Sequence, residues 1–388
     1  MFEIISIFRI LVVISFGFPI FVFGLYGIIV LYYNKIQDTN QQETRTQEYI
    51  EYFPYVTVVI PTHNEESIIF KKIENLLNSN YPKDKFEIIF VDDSNDSTPI
   101  KIQEYSHKYP FINLIKFNER KGYSPSMIAG CKVAKGEIIV LSDAGSYHDE
   151  QTIPNLIRHF KNPEIGAVTG NNIILNIDEE IGKSENLYLK IYNMLRIAET
   201  KMNSTFYFKG EASALRKDLI EDLEKCNASF DTAAALSIRK KGYKTIYDPK
   251  AQFYEYAPKT HSERVKQKTI RAANLIKILF QFKDMIFNSK YGKFGLIILP
   301  MNFIMLVIIP ITILTGIFSL TILTYFDFAF SKIAWSIIGI ILLTLLIFSK
   351  SFLFTFIEFT YSLLKALYQI IFTMKKHDMI ETVKSTRR

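Results

Sequence analysis

The sequence predicts an α/β domain on a mostly parallel sheet, held between apolar helices at the two ends of the chain. Three observations carry that prediction. Strand-like and helix-like segments alternate through the middle, the strand-like runs TVVI and EIIVL are continuously apolar, and long apolar runs flank the whole. Alternation at this spacing marks βαβ units. Parallel strands covered on both faces read as unbroken Val/Ile stretches, whereas a sheet with one wet face alternates.

In chain order, residues 10–33 read ILVVISFGFPIFVFGLYGIIVLYY with no charged side chain. About 20 apolar residues cross a hydrocarbon core roughly 30 Å thick, so 1–33 is expected to be a transmembrane anchor. A signal peptide would carry a shorter apolar run closed by small residues. Here Tyr32, Tyr33, Asn34 and Lys35 close it. A polar stalk follows at 34–53. The domain at 54–275 then runs YVTVVIP, a helix over 65–80, FEIIFVDD, a helix from Ser97, FINLIKF, a helix over 124–134, and GEIIVLSD. The aromatic stripe YLKIYNMLRIAE, from Tyr188, is expected to pack against the sheet.

Within 276–293, the stretch ILFQFKDMIF at 278–287 reads as an interfacial amphipathic helix. Membrane and interfacial helices are expected over 294–374. The run 294–326 contains Pro300 and Pro310 and reads as one long kinked helix, because neighbours inside a membrane re-satisfy the carbonyls that proline frees. A further apolar run covers 333–348. The stretch 352–372 holds Glu358 and Lys365, which are costly at the bilayer centre, so an in-plane helix is preferred there to a span. Lys283, Lys290 and Lys293 precede the second span, and Lys375, Lys376, Lys384, Arg387 and Arg388 lie in the basic tail at 375–388. Positive charge marks the cytoplasmic side. An integral protein of the cell membrane follows, with its domain in the cytoplasm and its N-terminus outside.

Apolar residues make up 48% of the chain and aromatic ones 14%, which excludes a disordered protein. The net charge of +7 comes with neither a zinc-ligand pattern nor an RNP-type aromatic motif, so nucleic acid is not an expected partner. Anionic membrane lipid and phosphorylated substrates fit the charge better. Cys131 and Cys226 do not make a disulfide framework, which fits a reducing compartment.

In open α/β sheets ligands bind outside the carboxyl ends of the strands, here residues 61–65, 92–94 and 143–145. The Asp92 and Asp93 pair suits hydrogen bonding to a base or ribose. Asp143, after another strand, suits a divalent metal beside a diphosphate. There is no GxxxxGK[ST] loop and no GxGxxG, which removes the support for ATPase and dinucleotide readings. The residues alone leave two readings open: a nucleotide-diphosphate site with a metal, or aspartates that merely cap helices and turns.

Six segments sharpen the choice: VVIPTHNEE, LNSNYPKDKFEIIFVDDSNDST, GEIIVLSDAGS, GAVTGNN, KGEASALRKDL and SIRKKGYKTIYDPKAQFYEYAPKT. In this order, between apolar flanks, they resemble the membrane-bound family-2 glycosyltransferases with a GT-A type, Rossmann-like catalytic domain. The resemblance implies an inverting enzyme that moves a sugar from a nucleotide-sugar donor to a membrane-associated acceptor, lipid-linked or glycan, with Mg²⁺ or Mn²⁺. It implies that Pro61, Thr62, His63 and Glu65 line the nucleotide pocket, that Asp93 holds the base, and that Asp143 holds the metal. It also places Lys121, Lys268 and Arg271 at the donor, Gly210 and Glu211 on the acceptor side, and Asp231 as the catalytic base.

The chain departs from the family pattern in places. Asp143-Ala144-Gly145 replaces the usual Asp-x-Asp, so the ion would lean on Asp143, substrate phosphates, water and, as further candidates, His148 or Asp149. His148 otherwise reads as a loop residue. Asp231 stands about one position early and doubles as a helix N-cap candidate. QKTIRAAN has no tryptophan after it, since the single Trp is Trp335. That weighs against a processive exopolysaccharide synthase, which stays as the alternative enzyme. Gly145 and the shifted Asp231 motivate a non-catalytic nucleotide-sugar-binding scaffold as the alternative outside enzymes.

Overall fold

The computed structural model describes residues 2–35, 52–220 and 229–373. Most of the expected stalk, the whole basic tail from Lys375 and Lys376 to Lys384, Arg387 and Arg388, and Cys226 lie outside the described residues.

Helix α1 (Phe2–Lys35) begins the chain. Strands β1 (Val56–Thr62), β2 (Phe86–Asp92), β3 (Ile112–Lys116) and β4 (Ile138–Leu141) alternate with helices α2 (Ile69–Leu77), α3 (Thr98–Lys108) and α4 (Tyr123–Val133). Then come β5 (Tyr147–His148), α5 (Thr152–Ile157), β6 (Ile165–Ile174), α6 (Glu180–Met202), β7 (Ser213–Arg216), α7 (Phe230–Lys240), β8 (Lys244–Glu255) and α8 (His261–Gln281). The eight strands form one sheet in the order β3-β2-β1-β4-β7-β6-β8-β5. β3, β2, β1 and β4 are mutually parallel, as are β6 and β8; β7 runs against both its neighbours and β5 against β8. The mostly parallel α/β expectation holds, and β1 meets β2 in a register that sets Thr62 opposite Asp92.

Alternate residues of each strand feed two cores. Val56, Val58 and Ile60 of β1, with Phe86, Ile88 and Phe90 of β2, pack under α2 and α5. Val59, Ile89, Val91, Ile139 and Leu141 face the other way, against α4, α7 and α8. That second core continues without a break into Phe294, Ile298, Leu299, Leu306 and Val307 of the following apolar helix. One sheet face is thus welded to the helices at the chain's end.

Three helices are long and apolar enough to cross a membrane: Phe2–Lys35, Phe294–Phe326 and Phe328–Ile347. In α1 the buried positions Val12, Ser15, Pro19, Val22, Tyr26 and Val30 recur every three or four residues, a single stripe; Ile4, Ile7, Ile10, Val13 and Ile14 stay exposed. Helix α9 (Phe294–Phe326) is continuous, as expected of the run with two prolines. A π-helical turn, Phe294–Ile298 or Ile304–Ile308, precedes each of Pro300 and Pro310. The widened turn relieves the clash between a proline ring and the carbonyl four residues back. Arg9 pairs with Asp327 at 2.5 Å, where α9 gives way to α10 (Phe328–Phe348), so α1 and α9 run in opposite directions.

Helix α11 (Lys350–Tyr368) is not among the three. Its Glu358 accepts hydrogen bonds from His261 (2.7 Å) and Arg264, both on α8, so the charge is satisfied by the α/β domain. The separate helix expected over 278–287 does not exist. Its first residues end α8, with Ile278 and Leu279 fully buried, and short 3₁₀ turns follow at Lys283–Met285 and Ser289–Tyr291. Ile278, Leu279, Phe282 and Met285 join the domain core, while Phe280 and Phe287 stay exposed.

Glu199, buried on α6, gathers the ends of the chain. Tyr26 of α1 (3.2 Å) and Asn302 of α9 (2.9 Å) donate to Oε1, while Thr205 Oγ1 (2.8 Å) and the Phe206 N–H (3.3 Å) donate to Oε2.

Candidate active site

The carboxyl ends of β1 and β2 are laced by hydrogen bonds. Asp92, fully buried, accepts from Thr62 Oγ1 (2.6 Å), Ser94 Oγ (2.7 Å) and the Ser94 N–H (3.1 Å). Asn64, in the left-handed region at φ 55°, lets the chain turn so that its N–H reaches Ser94 Oγ (2.7 Å) and its side-chain oxygen caps the Asn95 N–H (2.9 Å). Asp93 Oδ2 accepts from the N–H groups of Lys121 (2.8 Å) and Gly122 (3.0 Å), and its Oδ1 lies 2.8 Å from His63 Nδ1. Gly122, at φ 85°, makes this approach possible by opening α4 from a conformation that side chains disfavour.

Thr62, His63 and Asp93 therefore share one strand-end pocket, with Pro61 on the last stretch of β1. Glu65 begins the next turn, its N–H donating to Thr98 Oγ1 (2.9 Å) and its carbonyl accepting from Ile68 and Ile69. Lys121 reaches the pocket by its backbone; its exposed ammonium sits 3.8 Å from Glu119.

Asp143 follows β4 on a loop fastened from below. The Lys72 ammonium, fully buried under the sheet, donates to Ser142 Oγ (2.8 Å) and the Ser146 carbonyl (2.6 Å), on either side of Asp143. His148 is not a loop residue. It lies buried in β5, its Nε2 3.1 Å from Ser142 Oγ and 2.8 Å from the Glu211 carbonyl. Burial and the Lys72 charge hold its pKa down at about 3, so the ring is neutral at physiological pH. Asp149 caps the Gln151 N–H (2.9 Å). Among the described residues no group of three or more His, Cys, Asp or Glu side chains could hold a metal.

The third group lies across the sheet. Asp231 occupies the first turn of α7, and Gly210 and Glu211 precede β7. Burial pushes the Asp231 carboxyl up to about 6, with Glu211 adding to it, against hydrogen bonds from Ser229 and the N–H groups of Thr232 and Gly210. The Tyr123 hydroxyl fits against the bare α-carbon of Gly210: a methyl there would meet it at 2.1 Å and Asp231 Oδ2 at 3.6 Å. Burial first, then the charges of Asp143, Asp231 and Glu211, raise the Tyr123 pKa well above its ordinary value. One protonated phenol thus sits within the field of three carboxylates that come from three separate segments.

Lys268 and Arg271 do not join the strand-end pocket. Both project from α8 into a cavity also lined by Tyr188 and Tyr192 of α6, Tyr207 and Lys209. Lys268 Nζ lies 3.2 Å from Glu185 and 4.1 Å from the Tyr188 ring centroid; Arg271 lies 3.5 Å from Glu211. The stripe from Tyr188 lines this cavity, and its helix α6 also packs against β6 and β8, as expected. No motif or periodicity singles out Lys72, Tyr123 or Lys209. Lys72 and Tyr123 meet groups brought close only by the fold, and Lys209 faces a cavity that only the fold creates.

Comparison with known proteins agrees with this geometry. The family model for glycosyl transferase family 2 matches residues 57–224. A probable glycosyltransferase of Bacillus subtilis is 29% identical over 261 residues, 63% of this chain and 60% of its own length. A dolichol-phosphate mannosyltransferase of Pyrococcus furiosus is 34% identical over 206 residues, 50% of this chain and 55% of its own. The chain therefore spans less than two thirds of either relative. A mannosyltransferase of Pyrobaculum calidifontis, solved in complex with GDP-Man and Mn²⁺, superposes with a TM-score of 0.73 at 22% identity, over 94% of this chain and 100% of that one, and shares the fold. Sheet order and the family match converge: residues 57–224 match the glycosyl transferase family 2 model, and the chain has a GT-A type fold.

Proposed function

We propose that this protein is an inverting glycosyltransferase that moves a sugar from a nucleotide-diphosphate donor to a membrane-associated acceptor on the cytoplasmic face. The observation that carries the proposal is Asp231, a carboxyl raised to about 6 beside Glu211 and Gly210 on the far side of Tyr123 from the strand-end pocket. A general base works best when its pKa lies near the working pH. Asp231 then takes the proton of the acceptor hydroxyl as that oxygen forms the new glycosidic bond and the nucleoside diphosphate leaves with the bonding electrons. The base and ribose of the donor rest at Thr62, His63 and Asp93. Tyr123, which stays protonated, offers its hydroxyl as a hydrogen-bond donor to the sugar between them.

The donor set at Asp143 fits a divalent ion. Mg²⁺ keeps several waters and is commonly held by one or two carboxylates plus substrate phosphates, so a single aspartate on a loop pinned by Lys72 is sufficient, and Gly145 need not ligate. Such an ion would neutralise charge on the leaving diphosphate. The relative solved with Mn²⁺ and GDP-Man agrees with this assignment.

Asp143→Asn and Asp231→Asn test the roles. The second should slow transfer by about 10²–10⁴-fold, the span of general-base catalysis, with the thermal unfolding midpoint unchanged. Full transfer in either variant overturns that residue's role.

A further inference from the structure

Two buried cations, Lys209 and Arg196, face the cavity between α6 and α8 with donors that find no hydrogen-bond partner among the described residues. Lys209 is 2% exposed, and its Nζ makes no hydrogen bond among the described residues; the nearest carboxylate, Glu255, is 3.9 Å away. Arg196 is 1% exposed. Its Nε and Nη1 likewise lack a partner among the described residues, the guanidinium being caged by the rings of Tyr192, Tyr207 and Tyr247 at 5.0, 4.6 and 5.6 Å. Leaving a charged donor buried and unmet costs several kcal/mol. Folded proteins rarely accept that cost without a ligand or a function.

The cavity's walls say what would meet these donors. Lys268 and Arg271 add two more cations, and Glu185 is the single carboxylate in the lining. Apolar residues complete the rim: Leu306 comes from α9, a helix long and apolar enough to span a membrane, and Phe359 from α11. A free nucleotide would match the cations and waste the rim. A neutral lipid would match the rim and leave the cations unmet. We propose that this cavity is the docking site for the phosphate headgroup of a membrane-embedded acceptor lipid, with Lys209 and Arg196 closing on the phosphate and the apolar chain leaving past Leu306 and Phe359.

The proposal rests on the glycosyltransferase reading and deepens it by naming the acceptor class. The position suits the chemistry, since Lys209 and Gly210 directly precede Glu211, and Arg271 joins the cavity to Glu211 at 3.5 Å. A phosphate held here puts the rest of the acceptor's headgroup on the side of Asp231. Burial lowers the Lys209 pKa to about 8, the mark of an ammonium that still lacks a full counter-charge.

Binding to the full-length protein in neutral detergent tests the proposal with three probes: a long-chain alkyl phosphate, inorganic phosphate and GDP or UDP with Mg²⁺. The expected result is that alkyl phosphate binds well and inorganic phosphate much more weakly. Lys209→Met should weaken the alkyl phosphate at least about tenfold, the scale of one lost charge-assisted contact, and leave the nucleotide affinity within about twofold. Arg196→Met should do the same, and if it fails to fold, Lys209→Met decides. Equal weakening of nucleotide binding by Lys209→Met would make the cavity part of the donor site and overturn the proposal. So would alkyl phosphate binding that is absent or indifferent to Lys209. The assay reads binding and not turnover, so it can fail while Asp231→Asn still abolishes transfer, or succeed while that variant transfers normally.

Discussion

The strand-end pocket and the α6–α8 cavity both bury polar side chains, and they treat them in opposite ways. At the ends of β1 and β2 nearly every polar group has found a protein partner: Asp92 accepts three hydrogen bonds, and Asp93 draws in two backbone N–H groups and a histidine. In the cavity Lys209 and Arg196 are shut away from water with donors unmet among the described residues. Satisfied polar groups fix a backbone in place before a ligand arrives. Unsatisfied ones store a cost that a ligand of the right charge removes.

The largest effect expected of this contrast is on stability. Asp92→Val strands the donors of Thr62 and Ser94 in the core, at about 1–3 kcal/mol each. A loss of about 3 kcal/mol, or roughly 6–12 °C in a domain of this size, should appear in thermal unfolding. Lys209→Met, removing a buried charge whose nearest carboxylate, Glu255, stands 3.9 Å off without a hydrogen bond, should leave the midpoint unchanged or raise it. Similar losses in both variants would erase the distinction between the two regions.

Asp231 stands between the two regimes, held down by hydrogen bonds and pushed up more strongly by burial. As a base it works only when deprotonated, so kcat/KM should fall as the pH drops through about 6 and lie roughly tenfold below its plateau at pH 5. His148, held at about 3, is neutral throughout and adds no inflection there. A profile flat from pH 5 to 7.5 would remove Asp231 from the chemistry.

The smallest effect is at Arg9, whose pairing with Asp327 is satisfied but 44% exposed on the arginine side. Arg9→Ala should cost less than about 1 kcal/mol in unfolding experiments, as exposed pairs do. A larger loss would mean that satisfaction matters irrespective of burial.

How much of this was legible depended on how local the signal is. Strands β1, β2, β3 and β4 announced themselves through continuous Val/Ile runs, and Asp93 and Asp143 through short segments whose order is diagnostic; Asp231 stood outside them, about one position early. The helix expected from residue 65 begins at Ile69, because residues 64–68 are spent on the turn that ties β1 to β2. Lys72 reads in KKIENLL as a solvated helix face, yet its ammonium crosses to a loop some 70 residues on. No periodicity reports that. Lys268 and Arg271 were visible as cations, but the cavity they line exists only once α6, α8, α9 and α11 have met.

The Glu199 cluster bears on how such a chain is made. Tyr26 leaves the ribosome well before Glu199, and Asn302 well after it, so for much of synthesis this carboxylate waits in a half-finished domain for a partner not yet translated. Burial raises its pKa, and the hydrogen bonds from Asn302, Thr205, Phe206 and Tyr26 oppose that rise. The clasp therefore closes only after both apolar ends have reached the same place.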